Sequence, residues 1–506
     1  MEDLPKIKER TRIPLELPVQ DYLRDHVFNN RAVFPAVEAM QALADSAQAH
    51  VPGLDVSVIA EADFNKFLFI DADAAVMPAF NEMGPRGEAG ISSILVTARK
   101  QGKTSITRAV EHVRLTFPGT HDMPAPLPLD VTLGLEGICC HPEKERIYGE
   151  LVPFLPAYQN IQELHVSEQG AVALVSGGTA DAPAEPLGSP FPLDASFHAA
   201  CVWGQRFAGI VGFPVHLDRR IIRKKTEPGA TYITRVTPVS TEAGLLVFNL
   251  WIYDTAGELC EEVYGLHMRD VSGGKFLPPD WIRCGAADPL EKIRARCKDL
   301  AILELDTITR PCERIFSGPE LERSASMREK RRLTFCSARL ALKKLSRRVS
   351  ANDLATQPEC ITTIHEDGRP CCPVTHGSGS IQCTASHDSR FVIAAVSDHP
   401  IGIDVEEITP RVLKGQAHYM HEAEIALVKG HPLGEMEASI RVWSAKEAAS
   451  KASGMHLVEA WRRTEVKDIG ETSSIIAIDG EKNEALHSVV EGHMVTIITL
   501  TNGQQG

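Results

Sequence analysis

The 506-residue chain contains no uninterrupted apolar run near the roughly 18 to 20 residues that a membrane span requires, so a helical membrane protein is excluded. Its first residues, MEDLPKIKERTRIPLELP, mix charges of both signs and lack the apolar core of a secretory signal, which makes a cytoplasmic protein the expectation. The twelve cysteines are scattered, with adjacent pairs at Cys139/Cys140 and Cys371/Cys372 but no CxxC that could form half of a zinc site. Reduced, mostly buried thiols are therefore expected. No long low-complexity segment intervenes. With 43% apolar and 24% charged residues the chain has an ordinary globular composition, and its length exceeds what one hydrophobic core supports. The net charge of −14 argues against a protein that coats nucleic acid with its whole surface.

Two shifts of pattern organise what is there. From Met1 to about Val271 the text reads as strands (ISSILVTARK, AVALVSGG, TYITRVTPV, GLLVFNLWIYD) interrupted by two clear helices, PAVEAMQALADSAQAH and LDASFHAACVWGQ. This predicts an α+β unit used twice, a helix laid against an antiparallel sheet, with halves of about 1–126 and 127–271. Residues 272–296 are rich in Gly, Pro and charge and read as a linker. A further α+β domain is expected over 297–506, beginning with a strand at KDLAILELDTI, continuing through a basic helix near Met327 to Arg348, and closing with two strands, SSIIAIDG and HMVTIITL.

The most informative residues are IGIDVE (401–406) and VWSAKEAASK (442–451). A strand period of two puts Asp404 and Glu406 on one face. Lys446, Glu447 and Lys451 fall on a helix, where a third carboxylate completes an oxygen ligand set suited to Mg²⁺ and the lysines can meet phosphates. Either motif alone equally fits a solvated acidic turn or a charged surface helix.

Together they resemble the two signatures of Sfp-type 4′-phosphopantetheinyl transferases, [IV]G[IV]D and [FW][SCT]xKE[AS]xxK, with every position filled. GRP at 368–370, TASHD at 384–388 and SARLALKKL at 337–345 extend the likeness upstream. The resemblance implies transfer of the phosphopantetheine arm of coenzyme A to a serine of an acyl carrier protein. It assigns Asp404, Glu406 and Glu447 to Mg²⁺, Glu447 also to the serine proton, Lys446 and Lys451 to phosphates, and Arg339 and His387 to the coenzyme A 3′-phosphate region. Arg339 fits a surface charge equally well, and His387 a packed histidine.

From Arg310 to Arg348 twelve Lys/Arg stand against four acids, a local balance of +8. No aromatic interleaving points to nucleic acid, and a basic patch is the expected complement of an acidic carrier protein, acting mainly by steering.

Near the N-terminus, LRDHVFNNRAVFPAVEAM carries His26 and Pro35, and SPFPLDASFHAACVWGQ carries Asp194 and His198. Taken singly, these fit a structural histidine and a helix N-cap. As a pair they resemble the HxxxGxxxxP and HPALLDxxxQ/H segments of polyketide and polyunsaturated fatty acid synthase dehydratases, which have a double hot dog fold. LPAYQNI (155–161) approximates a further YGPxFQ-like element. The resemblance implies His26 as the base for the α-proton of a β-hydroxyacyl thioester and Asp194 as the acid for its hydroxyl, provided burial raises the Asp194 pKa. The N-terminus of a central helix would polarise the carbonyl. Asn30 replaces the family's glycine and is expected to keep left-handed geometry, while Ala36 puts a Cβ near the acyl tunnel.

The expected protein is bifunctional: a double hot dog dehydratase followed by a phosphopantetheinyl transferase, a combination that resembles the C-terminal end of enediyne-type iterative polyketide synthases. It would use Mg²⁺ and coenzyme A, serve a carrier of an iterative synthase, bind neither nucleic acid nor membrane, and form a homodimer by analogy. Two alternatives stay open: an active transferase beside a non-catalytic docking hot dog unit, and a nonenzymatic acyl-binding or regulatory protein.

Overall fold

A computed structural model describes residues 9–87, 90–100, 107–119, 123–242, 244–283, 288–307, 310–350, 354–373 and 381–500. The chain forms two compact units, Met1–Ala125 with Cys139–Cys284, and Pro126–Ile138 with Gly285–Gly506. Residues 127–138, expected in the second hot dog half, thus group with the second unit.

In the first unit, strand Thr11–Pro18 (β1) is followed by helix Ala36–His50 (α1) and strands Glu61–Phe64 (β2), Val76–Arg86 (β3), Gly90–Lys100 (β4) and Thr107–Phe117 (β5). Ile161–Ser167 (β6) and Gly170–Ser176 (β7) then precede helix Phe191–Trp203 (α2) and strands Phe213–Ile222 (β8), Thr231–Glu242 (β9), Leu245–Asp254 (β10) and Leu259–Arg269 (β11). These strands form one sheet in the order β1-β3-β4-β5-β2-β8-β11-β10-β9-β7-β6. The order 1-3-4-5-2 of the first half returns as 7-9-10-11-8 in the second, each with its helix after the first strand. The fold is a double hot dog. At its centre β2 and β8 pair antiparallel, with Asp63 opposite His216.

Helix α2 is buried at all thirteen positions, which is why FPLDASFHAACVW is apolar nearly all round: it is wrapped by sheet and has no face toward water. Asn29 and Asn30 take φ of +50° and +59° between two short strands, Val27–Phe28 and Arg31–Phe34, the left-handed pair that a two-residue hairpin requires. Asn30 therefore does what the family's glycine was expected to do.

The second unit contains strand Asp299–Glu304 (β12), helix Glu329–Val349 (α3), Gln382–His387 (β13), Phe391–Ser397 (β14), Ile401–Glu407 (β15), helix Glu435–Ser453 (α4), Thr464–Ile469 (β16), Ser473–Ile478 (β17), Glu481–Val490 (β18) and His493–Thr499 (β19). Its sheets run β12-β14-β13 and β15-β19-β18-β17-β16. Helix α4 packs on β15 and β19, and α3 on β12 and β14. Four strands follow α4 where the sequence suggested two.

The basic segment does not form the expected patch. Arg339, Lys343, Lys344 and Arg347 are buried. Lys343 pairs with Glu320 at 2.9 Å, Arg347 with Asp130 at 2.6 Å, and Arg348 with Glu136 at 2.8 Å and Asp299 at 2.6 Å. Local charge arithmetic overstated the surface potential because the partners Asp130, Glu136 and Asp299 lie outside the counted segment. Arg314, Arg323, Arg328, Lys330 and Arg331 remain exposed, with Glu313, Glu322 and Glu329 among them.

Nine described cysteines are free thiols, as expected, but Cys336 is disulfide-bonded. Among the described residues no helix is long and apolar enough to cross a membrane.

Candidate active sites

In the first unit, His26 and Asp194 come from opposite halves of the sequence. His26 leaves a short 3-10 turn, Asp21–Asp25, just before the Asn29-Asn30 hairpin, and Asp194 sits in the first turn of α2. His26 Nε2 lies 4.0 Å from Asp194 Oδ1. His26 Nδ1 is 3.1 Å from the Val33 carbonyl. A carbonyl can only accept, so Nδ1 carries the hydrogen and, in the neutral ring, Nε2 presents its lone pair toward Asp194. The imidazole stacks on Phe154 with ring centres 4.4 Å apart and meets Tyr158 edge-on at 5.0 Å.

On the other side of Asp194, His198 Nε2 lies 3.0 Å from Oδ2, out of line for an ideal hydrogen bond. The Tyr148 hydroxyl accepts from the Ile161 N–H at 2.8 Å and lies 3.4 Å from His198 Nδ1. Its own hydrogen can then point at Nδ1, and in that arrangement the His198 hydrogen sits on Nε2, facing the carboxylate. Tyr148 and Phe154 escaped sequence reasoning. RIYGELVPF shows no periodicity that would single them out, and only the fold brings them against the two histidines.

Burial holds His26 below the ordinary imidazole value, with His198 adding to the effect and Asp194 opposing it. Burial pushes Asp194 upward, but His198 and His26 outweigh it and hold the carboxyl below its ordinary range. The condition set for Asp194 as the acid, a pKa raised by burial, is thus not met: two imidazoles share its pocket.

A cavity of about 610 Å³ opens onto this group. It is lined by His26, Asp194 and His198, by Ala36 at the start of α1, and by Phe28, Phe67, Phe213 and Phe276. Ala36 does reach the cavity, as expected. The first backbone N–H groups of α1 have no intrahelical acceptor, so this turn can donate to an oxygen in the cavity.

In the second unit, β15 and α4 bring Asp404, Glu406, Glu447 and Lys451 into one neighbourhood. Asp404 is 1% exposed. Its Oδ1 accepts from Ser386 Oγ and Lys451 Nζ, both at 2.9 Å, and its Oδ2 from Ser444 Oγ at 2.9 Å. Lys451 Nζ is also 3.9 Å from Glu447 Oε2. Glu406 accepts from Trp443 Nε1 at 3.0 Å. Burial and the Asp404 charge push Glu406 up to about 7, and the same two causes push Glu447 up to about 7 against the pull of Lys451.

Carboxylates raised by one another's charge are a donor set that a hard cation suits. As placed, however, no three such groups among the described residues meet closely enough to hold a metal ion. The Lys451 ammonium holds Asp404 instead.

Lys446, expected at the phosphates, is instead turned into the interior. It is fully buried, donating to the carbonyls of Tyr419 at 2.9 Å, Thr464 at 3.1 Å and Trp461 at 3.2 Å, and it pairs with Glu424 at 2.7 Å. With its three hydrogens engaged it ties α4 to the segments beneath it. Arg339 lies inside the α3 layer, donating to the Thr363 carbonyl. Its buried Nε lacks a partner among the described residues, and burial lowers its pKa. This excludes the surface-charge reading. His387, at the end of β13, is exposed and is held below its ordinary value by partial burial and by Lys451, which puts it beside the Asp404 group.

Residues 400–498 match the model of the 4′-phosphopantetheinyl transferase superfamily, and residues 150–278 match that of the polyketide synthase dehydratase N-terminal domain. Among curated proteins, the 4′-phosphopantetheinyl transferase gsp of Aneurinibacillus migulanus is 32% identical over 75 residues, covering 15% of this chain and 32% of its own length. The Bacillus pumilus 4′-phosphopantetheinyl transferase is 35% identical over 83 residues, 16% of this chain and 36% of its own. The chain thus spans about a third of the length of these relatives. Among solved structures, a trans-AT polyketide synthase dehydratase domain from Brevibacillus brevis is 16% identical, with 53% of this chain and 96% of that one covered at a TM-score of 0.43. The dehydratase domain of PpsC from Mycobacterium tuberculosis is 17% identical, with 52% and 93% covered at a TM-score of 0.40. The chain resembles a polyketide synthase dehydratase in its N-terminal part and an Sfp-type 4′-phosphopantetheinyl transferase in its C-terminal part.

Proposed function

We propose that this is a bifunctional enzyme of polyketide or fatty acid biosynthesis. One unit moves 4′-phosphopantetheine from coenzyme A to a carrier-protein serine, and the other dehydrates β-hydroxyacyl thioesters. The observation that carries the first activity is the convergence of Asp404, Glu406, Glu447 and Lys451 within a segment that matches the transferase superfamily. Asp404, Glu406 and Glu447 would hold a Mg²⁺ ion only once Lys451 leaves Asp404 and the three carboxylates draw together, and the ion would then supply charge neutralisation on the pyrophosphate. Glu447, with a pKa near neutrality, takes the serine proton as the hydroxyl attacks the phosphorus next to the pantetheine; the pyrophosphate P–O bond breaks, adenosine 3′,5′-bisphosphate leaves, and Lys451 turns from Asp404 to the phosphate oxygens. His387, beside Lys451, contacts the coenzyme A 3′-phosphate region, whereas Arg339, buried on the Thr363 carbonyl, would have to swing out of the α3 layer to join it.

For dehydration, His26 Nε2 takes the α-proton while the first turn of α1 hydrogen-bonds the thioester carbonyl. Asp194 need not start protonated. Nε2 and Oδ1 stand 4.0 Å apart, beyond hydrogen-bond reach, so the proton that His26 gains passes to Asp194 through one bridging water and on to the departing hydroxyl; the α C–H and β C–O bonds break, the double bond forms and water leaves. His198, with Tyr148 at its Nδ1, stands against the carboxylate at 3.0 Å and would bond it after a small turn of the ring.

Purified full-length protein incubated with coenzyme A, Mg²⁺ and an apo carrier protein should add one phosphopantetheine to the carrier, read by mass spectrometry, and Glu447→Ala should abolish the gain. No gain with several carriers, or an undiminished gain in the variant, overturns the transferase assignment. A β-hydroxyacyl carrier substrate should lose water with the wild type and much more slowly with His26→Ala. Equal, slow rates would leave the hot dog unit as a docking element beside an active transferase. Light scattering of the same sample tests the homodimer, and fractionation of the source cells the cytoplasmic location.

A further inference from the structure

Between Ala125 and Cys139 the chain leaves the hot dog unit, and the thirteen residues Pro126–Ile138 belong to the other compact body. They are not a surface linker there. Asp130 is fully buried and holds Arg347, itself 4% exposed, through two bonds, Nε to Oδ2 at 2.6 Å and Nη2 to Oδ1 at 2.7 Å. Leu133 is part of the core between α3 and β12. Glu136 forms an antiparallel bridge with Leu303, and the Gly137 N–H donates to the Ile302 carbonyl at 2.9 Å.

Three independent demands of residues 285–506 are met by this one segment. Strand β12 is the terminal strand of its sheet, and its outer edge would otherwise present unpaired backbone groups. The Arg347 guanidinium is buried and needs a facing carboxylate. The apolar wall formed by Leu303, Leu340 and Leu345 needs a covering side chain. A surface that offers an edge, a buried cation and an apolar hollow is built for a short segment that carries an acid on a helical turn and, three residues on, a leucine.

We infer that Pro126–Ile138 is an obligate part of the second unit, so that residues 285–506 do not form a stable, active transferase without the segment inserted between the hot dog halves. The structural claim stands without an assigned reaction; the activity arm of its test rests on the transferase reading above.

Two measurements on the full chain test it. In the first, Asp130→Asn with Leu133→Ala is followed by hydrogen exchange. Amides of β12 and α3 should exchange at least tenfold faster, those of β7 to β11 should be unchanged, and phosphopantetheinyl transfer should fall at least tenfold. In the second, which covers failure of that variant to fold, specific protease sites are placed within 119–125 and at 141–143 and the native protein is cut. The freed peptide should co-elute with the body in gel filtration and be released only by denaturant. Unchanged exchange in β12 and α3, or a peptide that leaves under native conditions while transfer continues, overturns the inference. If the wild type transfers nothing, exchange and retention still decide it.

Discussion

Gly402 and Ala448 bring β15 and α4 into backbone contact: a Cβ on Gly402 would stand 1.8 Å from the Ala448 carbonyl oxygen. The glycine of IGIDVE is therefore required by close approach and not by backbone freedom, since its neighbours are ordinary strand residues. The same contact sets Asp404, two residues along the strand, against Ser444 and Lys451 on the helix. Gly402→Ala must push α4 away. We expect a loss of at least the ~1–3 kcal/mol typical of an overpacked core, seen as a lowered unfolding midpoint for the second unit, with phosphopantetheinyl transfer reduced even at saturating coenzyme A.

Lys446 separates a structural lysine from a phosphate-binding one. Replacing it with Met leaves Glu424 buried without its cation, and breaking such a pair typically costs about 3–5 kcal/mol. Lys446→Met should lower the melting temperature of the second unit while the folded fraction keeps its KM for coenzyme A. Lys451→Met also leaves the buried Asp404 without its cation and should lower stability too, but it should in addition raise that KM at least tenfold. A Lys446 variant with normal stability and a raised KM would restore the residue to the phosphates.

Much of this was legible in the sequence because the signals were periodic or local. Alternation gave the long strands β4, β7, β9 and β10, and the two helices announced a repeated unit whose order 1-3-4-5-2 the structure repeats. Strand β18, EKNEALHSVV, was missed because charged and small residues occupy its solvent face and hide the period. The basic character of α3 was read correctly, but its placement was not. Charge is visible in sequence, whereas Asp130, more than two hundred residues away, becomes the partner of Arg347 only through the fold. Likewise, no spacing could show that Tyr148 orders His198.

That alignment has a kinetic consequence. Tyr148→Phe keeps the ring and loses the hydroxyl that fixes the His198 tautomer, so the imidazole can turn its lone pair toward Asp194 and repel the carboxylate. Dehydration should fall roughly 10- to 100-fold through kcat, less than the roughly 100- to 10,000-fold contributed by a proton-transfer group itself because Tyr148 acts through His198, with KM for the acyl carrier little changed. Transfer of phosphopantetheine by the same sample serves as the internal control for folding. An unchanged kcat removes Tyr148 from the positioning chain.

The pH profile of dehydration tests the state of His26. Burial holds its imidazole below the ordinary value of 6.5, so the base stays neutral and competent in mildly acidic solution. The acid limb of kcat/KM, which reports the free enzyme, should therefore have its midpoint below pH 6.5. The sign for stability follows from the same shift. Between the folded and unfolded values the unfolded chain binds the extra proton, so the contribution of neutral His26 is fully present above pH 6.5 and is lost as pH falls toward the folded value. Phe154→Ala removes the ring stacked on His26 and lets water reach it, which should move the acid limb back toward 6.5 and lower the rate at pH 6 relative to pH 8. A wild-type limb at or above 6.5, unmoved by Phe154→Ala, would show that the imidazole is solvated and that the stacked, buried arrangement does not govern its proton.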